Sequence, residues 1–299
     1  MPHVLTLIAA PGTLDPALPA RIRAALEGVG GRAGTPEWLA EREAVDIPYT
    51  EAPPAQAVAA ARAALEAAPV DAIAQPVLHR RKRLLVADMD STIVTSETLD
   101  ELAAHAGLKD RIAEITRRSM NGELDFAQAL RERVAMLKGL PVDALERTWA
   151  GTEMMPGAAE LVATMRAHGA VCCLASGGFT FFTGRVAERL GFDLHVSNEL
   201  LHAEGRLTGE VGQPIFDRAS KLATLTRLAA EHGLAMAETM AVGDGANDLD
   251  MIRAAGLGIA FRAKPVVAAA ATARVDHADL RALLYAQGYR AEEIVSPAR

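Results

Sequence analysis

The sequence predicts an α/β protein: a doubly wound parallel sheet with an inserted α-helical cap and a small N-terminal α+β module. Three observations lead to this fold class. From residue 84 onward, short apolar runs alternate with helical patterns, which is typical of a parallel sheet covered on both faces. Polar residues follow directly after several of these runs. Residues 97–152 break the alternation, because they contain several helical patterns and no strand.

The predicted parallel sheet consists of apolar runs at residues 84–87, 171–175, 239–242 and 257–261. Apolar residues at helical spacing lie at or between the later runs, over residues 157–168, 181–190, 220–232 and 247–255. In an open parallel sheet, ligands bind just outside the carboxyl ends of the strands. The polar residues that follow these runs are therefore the candidate functional residues.

Changes in pattern set the predicted domain boundaries. Residues 1–79 form an N-terminal module with the order β-α-β-α-β and one weak strand near residues 34–38. A basic run, residues 79–83, is expected to be a solvated junction. The catalytic core comprises residues 80–96 and 153–299, and residues 97–152 form the helical cap. A cap inserted after the first strand would lie over the carboxyl edge of the sheet and exclude water from it.

The composition argues against several classes of protein. The formal net charge of -7 gives no reason to expect nucleic acid or an anionic membrane as a partner. No apolar stretch reaches the ~18 residues that a spanning helix needs, and the apolar run near the N-terminus has no basic region before it. The two cysteines, Cys172 and Cys173, are adjacent and are expected in a buried strand. We expect a cytoplasmic protein with a small-molecule substrate.

The first motif, Asp88-Met89-Asp90-Ser91-Thr92, follows an apolar run directly. A carboxylate at this position can be a covalent nucleophile for phosphoryl transfer, and a second one can serve as general acid and base. Two such carboxylates can also converge on one metal ion. The alternative is an Asp-rich turn in which Ser91 or Thr92 has a capping role.

The second motif, Gly243-Asp244-Gly245-Ala246-Asn247-Asp248, follows another apolar run and opens a predicted helix. Carboxylates such as Asp244 and Asp248 suit Mg²⁺, which prefers a few carboxylates together with water and phosphate oxygens. Asp and Asn are also favoured at helix N-caps. A single cap does not account for three such residues and two glycines, so we interpret the motif as functional.

Two further elements complete the set. Ser176-Gly177-Gly178 lies between an apolar run and a helical pattern. A hydroxyl with glycine N–H groups at a helix start makes an anion site, and the alternative is an ordinary Gly-rich turn. Lys221 lies near the start of the predicted helix over residues 220–232. Most lysines are solvated surface residues, so only its place in the order of the motifs makes Lys221 a candidate.

In this order, the four elements resemble the signature of the haloacid-dehalogenase-like phosphatases, over residues 84–285. Together with Glu97, Arg133 and Phe179, they are similar to the phosphoserine phosphatase family. The resemblance implies that Asp88 is the nucleophile and a Mg²⁺ ligand, and that Asp90 is the acid and base. The Asp90 carbonyl and Asp244 would complete the metal site, and Asp248 would support it indirectly. The phosphate would be held by Ser176, the Gly177 N–H, Lys221 and Asn247.

The resemblance also implies a substrate, O-phospho-L-serine. Glu97 and Arg133 would recognise its ammonium and carboxylate groups, and a zwitterion does need one anion and one cation placed apart. Phe126 and Met120 are candidates to line the pocket, with packing inside the cap as the alternative reading. The N-terminal module would be ACT-like, one strand short or with one weak strand. Homodimerisation is left open.

Two rival functions use the same fold. A phosphotransferase would pass the phosphate to another alcohol, and product analysis with competing acceptors would distinguish it. A regulatory amino-acid sensor would need no acid/base group, so the presence of Asp90 argues against it. Haloacid dehalogenase chemistry is disfavoured because it needs neither a second Asp at position 90 nor Mg²⁺.

Overall fold

The computed structural model describes residues 2–296, and the chain divides into two compact units. The first unit comprises the chain up to Arg83, Pro156–Ala170 and the chain from Thr272 onward. The second comprises Leu84–Met155 and Val171–Ala271. Strands and helices are numbered below along the whole chain. Within residues 2–296, no helix has both the length and the apolar character that a membrane span requires.

The N-terminal part of the first unit is an antiparallel sheet with two helices. Its strands are β1 (His3–Ile8), β2 (Arg32–Ala33), β3 (Glu37–Ala40), β4 (Ala44–Thr50) and β5 (Asp71–Pro76). Its helices are α1 (Leu18–Gly28) and α2 (Pro54–Leu65). The strand order is β2-β4-β1-β5, and β3 also pairs with β4. The predicted order of elements is confirmed, and two short strands take the place of the weak strand near residues 34–38. The ACT-like character of this module stays a prediction.

Both helices of this module are placed by prolines and by apolar spacing. Pro19 lies in the first turn of α1, and α2 begins at Pro54, where a missing N–H costs no hydrogen bond. Ile22 and Leu26 repeat at four-residue spacing and are buried on one face of α1. They pack in one cluster with alternate strand residues such as Leu5 and Leu7, because successive strand side chains point to opposite faces.

Two later segments belong to the first unit, which differs from the predicted boundaries. They contain α7 (Ala158–Ala167), β13 (Ala273–Val275) and α12 (Ala282–Ala286). These segments were predicted to belong to a core of residues 80–96 and 153–299, whereas they cluster with the N-terminal residues. The reason is a set of long-range contacts that no local pattern reveals. The buried carboxylate of Asp71, for example, accepts hydrogen bonds from the N–H groups of Asp276, His277 and Ala278.

The parallel sheet lies in the second unit. Its strands there are β6 (Leu84–Ala87), β7 (Val171–Phe179), β8 (Leu194–Asn198), β11 (Thr239–Gly243) and β12 (Leu257–Phe261). Their order is β12-β11-β6-β7-β8, and Leu84 of the central β6 pairs with Val171 on one side and Thr239 on the other. The four predicted strands and the fold class are confirmed. The prediction missed β8, because most of its residues are only partly buried and it lacks a continuous apolar run.

Helices cover the sheet, as predicted. They are α8 (Thr180–Leu190), α9 (Arg218–Glu231), α10 (Leu249–Ala254) and α11 (Pro265–Ala270). Val86 and Cys173 pack against Leu225, Leu228 and Ile252 of α9 and α10. Both cysteines are buried, as expected. A hairpin of β9 (Leu200–Ala203) and β10 (Arg206–Val211), which the sequence analysis missed, leads into α9.

The insertion after β6 contains several helices, as predicted. It contains α3 (Thr98–Ala104), α4 (Lys109–Met120), α5 (Phe126–Ala135) and α6 (Asp143–Ala150). The start of α5 is fixed by Asp125, whose side chain accepts a hydrogen bond from the Gln128 N–H. Ala129, Leu130 and Val134 are the buried apolar residues of this helix. The insertion belongs to the same compact unit as the parallel sheet.

A substitution of Asp71 tests how much its hydrogen bonds to residues 276–278 stabilise the fold. In Asp71→Asn one of the two acceptor oxygens becomes an NH₂ group, so at least one of the three backbone N–H donors faces another donor and loses its acceptor. We expect the free energy of unfolding to fall by about 2–3 kcal/mol, measured by denaturant titration. Asp276→Asn is the matched control. It removes a half-exposed ion pair with Arg274 and is expected to cost less than about 1 kcal/mol. Equal losses of unfolding free energy in the two variants would contradict this role of Asp71.

Candidate active site

The acidic candidates lie where adjacent strands of the parallel sheet end. Asp88 follows β6 directly, and its N–H donates to the Val242 carbonyl at 3.0 Å. The pairing of β6 with β11 therefore continues one residue beyond the strand. Asp244 follows the last residue of β11. Because Ala87 pairs with Val242 in parallel register, the chain brings Asp88 and Asp244 to the same edge of the sheet, where both are buried.

Lys221 is a fully buried cation in this cluster. It lies in the first turn of α9, which Asp217 caps by accepting the Ser220 N–H at 3.0 Å. The side chain is fully buried, and its Nζ donates to Asp88 Oδ1 and to Asp248 Oδ1, each at 2.6 Å. Burial of this side chain could not be predicted from residue type, since most lysines are solvated. A buried ammonium requires such paired carboxylates, so its neighbours fix its position.

The acidic cluster has the composition of a site for a hard divalent cation. One carboxylate oxygen each of Asp88, Asp244 and Asp248 lies within 4.8 Å of the others. Both oxygens of Asp248 are already engaged, by Lys221 and by the Gly245 N–H. Asp244 Oδ2 is buried and accepts no hydrogen bond, although Lys264 Nζ lies 3.2 Å away. The potential ligand atoms are all carboxylate oxygens, and one of them accepts no hydrogen bond. Such a set fits a Mg²⁺-type ion.

The protonation of these groups reflects an excess of buried negative charge. Burial raises the pKa of Asp88 well above its usual value, and the neighbouring Asp248 charge raises it further. Burial, together with the charges of Glu97 and Asp248, raises the pKa of Asp244 to about 7. The two lysines, Lys221 and Lys264, oppose these shifts without cancelling them. A cation bound between the carboxylates would lower both pKa values.

Asp90 is held beside the cluster by its own contacts. Its Oδ1 accepts the Thr98 N–H at 2.8 Å, and its Oδ2 lies 3.4 Å from the Ser176 hydroxyl. Burial, and secondarily the charge of Glu97, raises the pKa of Asp90 to about 7. Near neutral pH this carboxyl group can therefore both hold and release a proton, which is what a general acid that later acts as base requires.

The structure changes the predicted environment of Ser176. Ser176-Gly177-Gly178 was predicted to follow the strand and to form an anion site at the start of the next helix, whereas it continues β7 as far as Phe179. Ser176 is buried, and its hydroxyl accepts the Gly178 N–H at 2.9 Å. A β-carbon on Gly177 would lie 2.7 Å from the Phe126 ring. The glycine is therefore needed for the close approach of the cap, and Phe126 does face this part of the site.

Asn247 lies on a short 3-10 turn, Ala246–Asp248, which precedes α10. The predicted helix over residues 247–255 therefore begins later than expected, at Leu249. Asn247 is buried, and its Oδ1 has no hydrogen-bond partner among the described residues. A β-carbon on Gly245 would lie 2.8 Å from the sulfur of Met120. Both cap residues proposed for the pocket thus contact glycines of the motifs.

The two recognition candidates lie on the cap side of the site. The Ser91 hydroxyl donates to Glu97 Oε1 at 2.7 Å. Arg133 is buried on α5, with Nη1 donating to the Thr116 hydroxyl at 2.8 Å and Nε to the Ala129 carbonyl at 3.2 Å. Its Nη2 donates no hydrogen bond to any described residue. Burial lowers the pKa of Arg133, and nearby carboxylates including Glu97 partly restore it.

Sequence reasoning missed three residues that support this site. Thr116 links Arg133 to the carboxylate of Asp100, to which its hydroxyl donates at 2.6 Å. Asp100 could have been found, because it lies three residues after Glu97 on a predicted helix. Lys264 could also have been found, because it follows the end of β12. Nothing in the sequence distinguishes Thr116 from other helical threonines.

Several cavities are lined by residues of the cap helices, and two of them bear on the location of the site. One of about 280 Å³ is lined by Phe126 and Asn247 together with Ser119, Arg218 and neighbouring residues. It therefore borders the candidate site. A larger one, of about 540 Å³, is lined by residues of α6, α8 and the hairpin strand β9 and contains none of the candidate residues. Size alone thus does not identify the active site, whereas the buried charged groups do.

A sequence profile of the haloacid dehalogenase-like hydrolases matches residues 85–253, a range that contains the whole acidic cluster and Lys221. The chain belongs to this hydrolase family. The match includes the helical insertion and the strand-end motifs, so the resemblance drawn from the sequence is confirmed at the level of the family.

Relatives of this hydrolase carry a more specific name. A phosphoserine phosphatase from Streptococcus thermophilus is 47% identical over 199 residues, which cover 67% of the hydrolase and 93% of that protein. A phosphoserine phosphatase from Streptomyces coelicolor is 47% identical over 218 residues, which cover 73% of the hydrolase and 53% of that protein. The hydrolase thus matches only about half the length of this relative, and the same holds for one from Mycobacterium tuberculosis.

A solved structure supports the same grouping. It is described as the phospho-aspartyl intermediate analogue of phosphoserine phosphatase, and its chain is 38% identical to the hydrolase. The superposition has a TM-score of 0.66 and covers 69% of the hydrolase and 98% of the solved chain. Sequence and fold therefore place the two proteins in one family.

The metal fit can be tested without an activity assay. Mg²⁺ is expected to raise the melting temperature, because a ligand that binds only the folded state stabilises it. Asp244→Asn is expected to remove most of this increase, since it replaces the unsatisfied carboxylate. Asp110→Asn, an exposed aspartate of α4, is the control and is expected to keep the increase. Thermal unfolding with 0 and millimolar MgCl₂ measures both. An unchanged increase in Asp244→Asn would argue against this cation site.

Proposed function

We propose that this hydrolase cleaves O-phospho-L-serine into L-serine and phosphate through an aspartyl-phosphate on Asp88, with Mg²⁺ as its cofactor. The observation that carries the proposal is the buried Lys221 bridging Asp88 and Asp248, with the cap cation Arg133 in the same compact unit. The relatives named phosphoserine phosphatase support the choice of substrate. The described intermediate analogue supports the covalent step.

Asp88, Asp244 and the Asp90 carbonyl are the proposed ligands of the metal ion. Asp248 would hold Lys221 and the Gly245 N–H rather than the metal, since both of its oxygens are engaged. A bound divalent cation would neutralise charge on the phosphoryl oxygens. Ser176, the Gly177 N–H, Lys221 and Asn247 would bind those oxygens as hydrogen-bond donors. The Oδ1 of Asn247, which has no hydrogen-bond partner among the described residues, would accept a hydrogen bond from a water molecule or a protonated group.

The first chemical step forms a bond between an Asp88 carboxylate oxygen and phosphorus. The bond between phosphorus and the serine oxygen breaks, and Asp90 gives its proton to that oxygen, so serine leaves as a neutral alcohol. In the second step Asp90 takes a proton from water. The water oxygen then bonds to phosphorus, and the bond to Asp88 breaks. The pKa of about 7 for Asp90 suits both steps.

Recognition of serine is assigned to the cap. The ammonium group would lie near Glu97, which is held by the Ser91 hydroxyl. The carboxylate would meet the guanidinium of Arg133, whose Nη2 donates no hydrogen bond to described residues, while Thr116 and the Ala129 carbonyl hold its other nitrogens. A planar guanidinium that is already oriented loses less entropy when it binds a carboxylate.

Asp88→Asn is expected to abolish turnover and the phosphoenzyme together, because an amide is a poor nucleophile and cannot carry the phosphoryl group. Turnover is measured by phosphate release from phosphoserine with Mg²⁺. The phosphoenzyme is measured by intact mass after acid quenching of the wild type and the variant. A variant that keeps a substantial fraction of wild-type turnover would sink the covalent mechanism.

Arg133→Ala separates recognition from chemistry. Loss of a charge-assisted contact to the carboxylate is expected to lower kcat/KM for phosphoserine by about 30- to 1000-fold. Phosphoethanolamine and p-nitrophenyl phosphate lack that carboxylate, so their kcat/KM values are expected to change little. Arg133→Lys is expected to restore only part of the loss, because an ammonium lacks the planar fork.

Arg131→Ala is the matched control for this experiment. Arg131 is exposed on the same helix, two residues before the buried Arg133, and its removal is expected to leave all three substrates unaffected. Equal losses of Arg133→Ala on every substrate would show that Arg133 supports the cap or the phosphate site. That result would reduce the proposal to a general phosphatase of small monoesters.

A further inference from the structure

Asn198, the last residue of β8, is a buried amide outside all the motifs. Only 2% of its surface is exposed. Its Nδ2 donates to the Gly177 carbonyl at 2.9 Å and to the Phe216 carbonyl at 3.1 Å, and its Oδ1 accepts the Phe216 N–H at 2.7 Å. Such complete pairing is what keeps a buried amide from destabilising the fold. The pattern is notable because both partners are backbone segments that lead into the candidate site.

The hydrogen bond to Gly177 lies where the regular pairing of β7 with β8 is interrupted. Residues of β7 and β8 pair in regular parallel register as far as Ala175 with Val196, and pairing resumes at Phe179 with Asn198. Three residues of β7, Ser176 to Gly178, therefore face only one residue of β8 between these pairs. The Gly177 carbonyl leaves the regular ladder and is bound by the Asn198 side chain instead.

The peptide group between Gly177 and Gly178 is consequently held at both ends. Its carbonyl oxygen accepts from Asn198, and its N–H, that of Gly178, donates to the Ser176 hydroxyl at 2.9 Å. Glycine backbone has more conformational freedom than any other, so two hydrogen bonds on one peptide group matter here. They hold the Ser176 hydroxyl directly and restrain the adjacent peptide group, which carries the Gly177 N–H.

The contact with Phe216 reaches the other side of the phosphate site. Asn198 binds both backbone polar groups of Phe216. The next residue, Asp217, caps α9 by accepting the Ser220 N–H at 3.0 Å. Lys221 comes directly after Ser220, and its Nζ contacts Asp88. One side chain thus connects the end of β7, which carries Ser176, with the helix start that carries Lys221.

We propose that Asn198 is a positioning residue, which holds the Ser176–Gly177 segment and the start of α9 in the register that a phosphoryl group requires. This inference rests on the proposed function, because it assumes that both segments bind phosphate. Asn198 itself touches neither the substrate nor the reacting atoms. Misplacement of catalytic groups by about 1 Å can cost on the order of 100-fold in rate, so a buried amide at this place can control activity from outside the site.

Asn198→Asp is the sharpest variant, because it keeps the shape of the side chain. It retains an acceptor for the Phe216 N–H and replaces the NH₂ donor by an oxygen that faces two carbonyls. We expect kcat for phosphoserine to fall by about 10- to 100-fold and the inhibition constant for inorganic phosphate to rise by about tenfold. The ratio of kcat/KM between phosphoserine and phosphoethanolamine is expected to stay within twofold, because Glu97 and Arg133 are untouched.

Thr183→Val is the matched control for loss of stability. Thr183 is buried on α8 and its hydroxyl contacts His195 and Ser197 of the same strand, β8. The variant loses two hydrogen bonds at β8 without touching either phosphate segment. It is expected to lower the melting temperature yet keep kcat and the phosphate inhibition constant within twofold of wild type. Asn198→Ser, which retains a smaller hydroxyl donor, carries the test if Asn198→Asp does not fold.

The outcomes separate this inference from the proposed function. Folded Asn198 variants that keep kcat and the phosphate inhibition constant within twofold of wild type would overturn the positioning role, and so would losses no larger than those of Thr183→Val. If wild type does not turn over phosphoserine, the substrate assignment fails. The same comparison is then made with p-nitrophenyl phosphate and inorganic phosphate, where the Asn198 effect is still expected.

Discussion

Lys221 and the two carboxylates on either side of it impose the tightest constraint on the catalytic unit. A buried ammonium requires pairing, and its loss would leave Asp88 and Asp248 uncompensated, which typically costs about 3–5 kcal/mol in such pairs. The three groups come from the end of β6, from the start of α9 and from the turn before α10. Hydrogen bonds of 2.6 Å therefore require these elements to meet within a few tenths of an ångström. The short apolar strands and the buried faces of α9 and α10 supply the rigid packing for this.

The same cluster carries more negative than positive charge, and this imbalance accounts for much of the site's chemistry. Burial raises the pKa of Asp88, Asp90 and Asp244, and mutual repulsion adds to the effect. A dianionic phosphate would not approach such a surface unaided. Asp244 has an oxygen that accepts no hydrogen bond, so this carboxylate suits a cation. Both oxygens of Asp248 are engaged, so that carboxylate supports Lys221 instead.

The cap contains a second polar network, which is centred on Arg133 instead of Lys221. Arg133 is buried on α5 and oriented by Thr116, which in turn donates to Asp100. Burial raises the pKa of Asp100 to about 6, and the Thr116 hydrogen bond and the Arg133 charge oppose this rise. Arg133 stays protonated and is linked to that carboxylate through the Thr116 hydroxyl, so its positive charge remains available to an anionic ligand. Phe126 and Met120 lie against glycines of the core, so the cap meets the acidic edge through apolar contacts as well as through the Thr98–Asp90 hydrogen bond.

Local pattern alone determined the four buried strands, the helical insertion and the strand-end residues, because the side-chain periodicity of a helix or a buried strand is written in consecutive residues. The sequence therefore identified Asp88, Asp90, Asp244 and Asp248 as one acidic group. It could not show that Lys221 is buried, that Ser176 continues β7, or that residues 156–170 and 272 onward join the N-terminal unit. Only the tertiary structure decided these points. Each depends on contacts between residues far apart in the chain, such as Lys221 with Asp88 or Asp71 with Ala278, and no local spacing encodes which distant group will satisfy a buried charge or a free carbonyl.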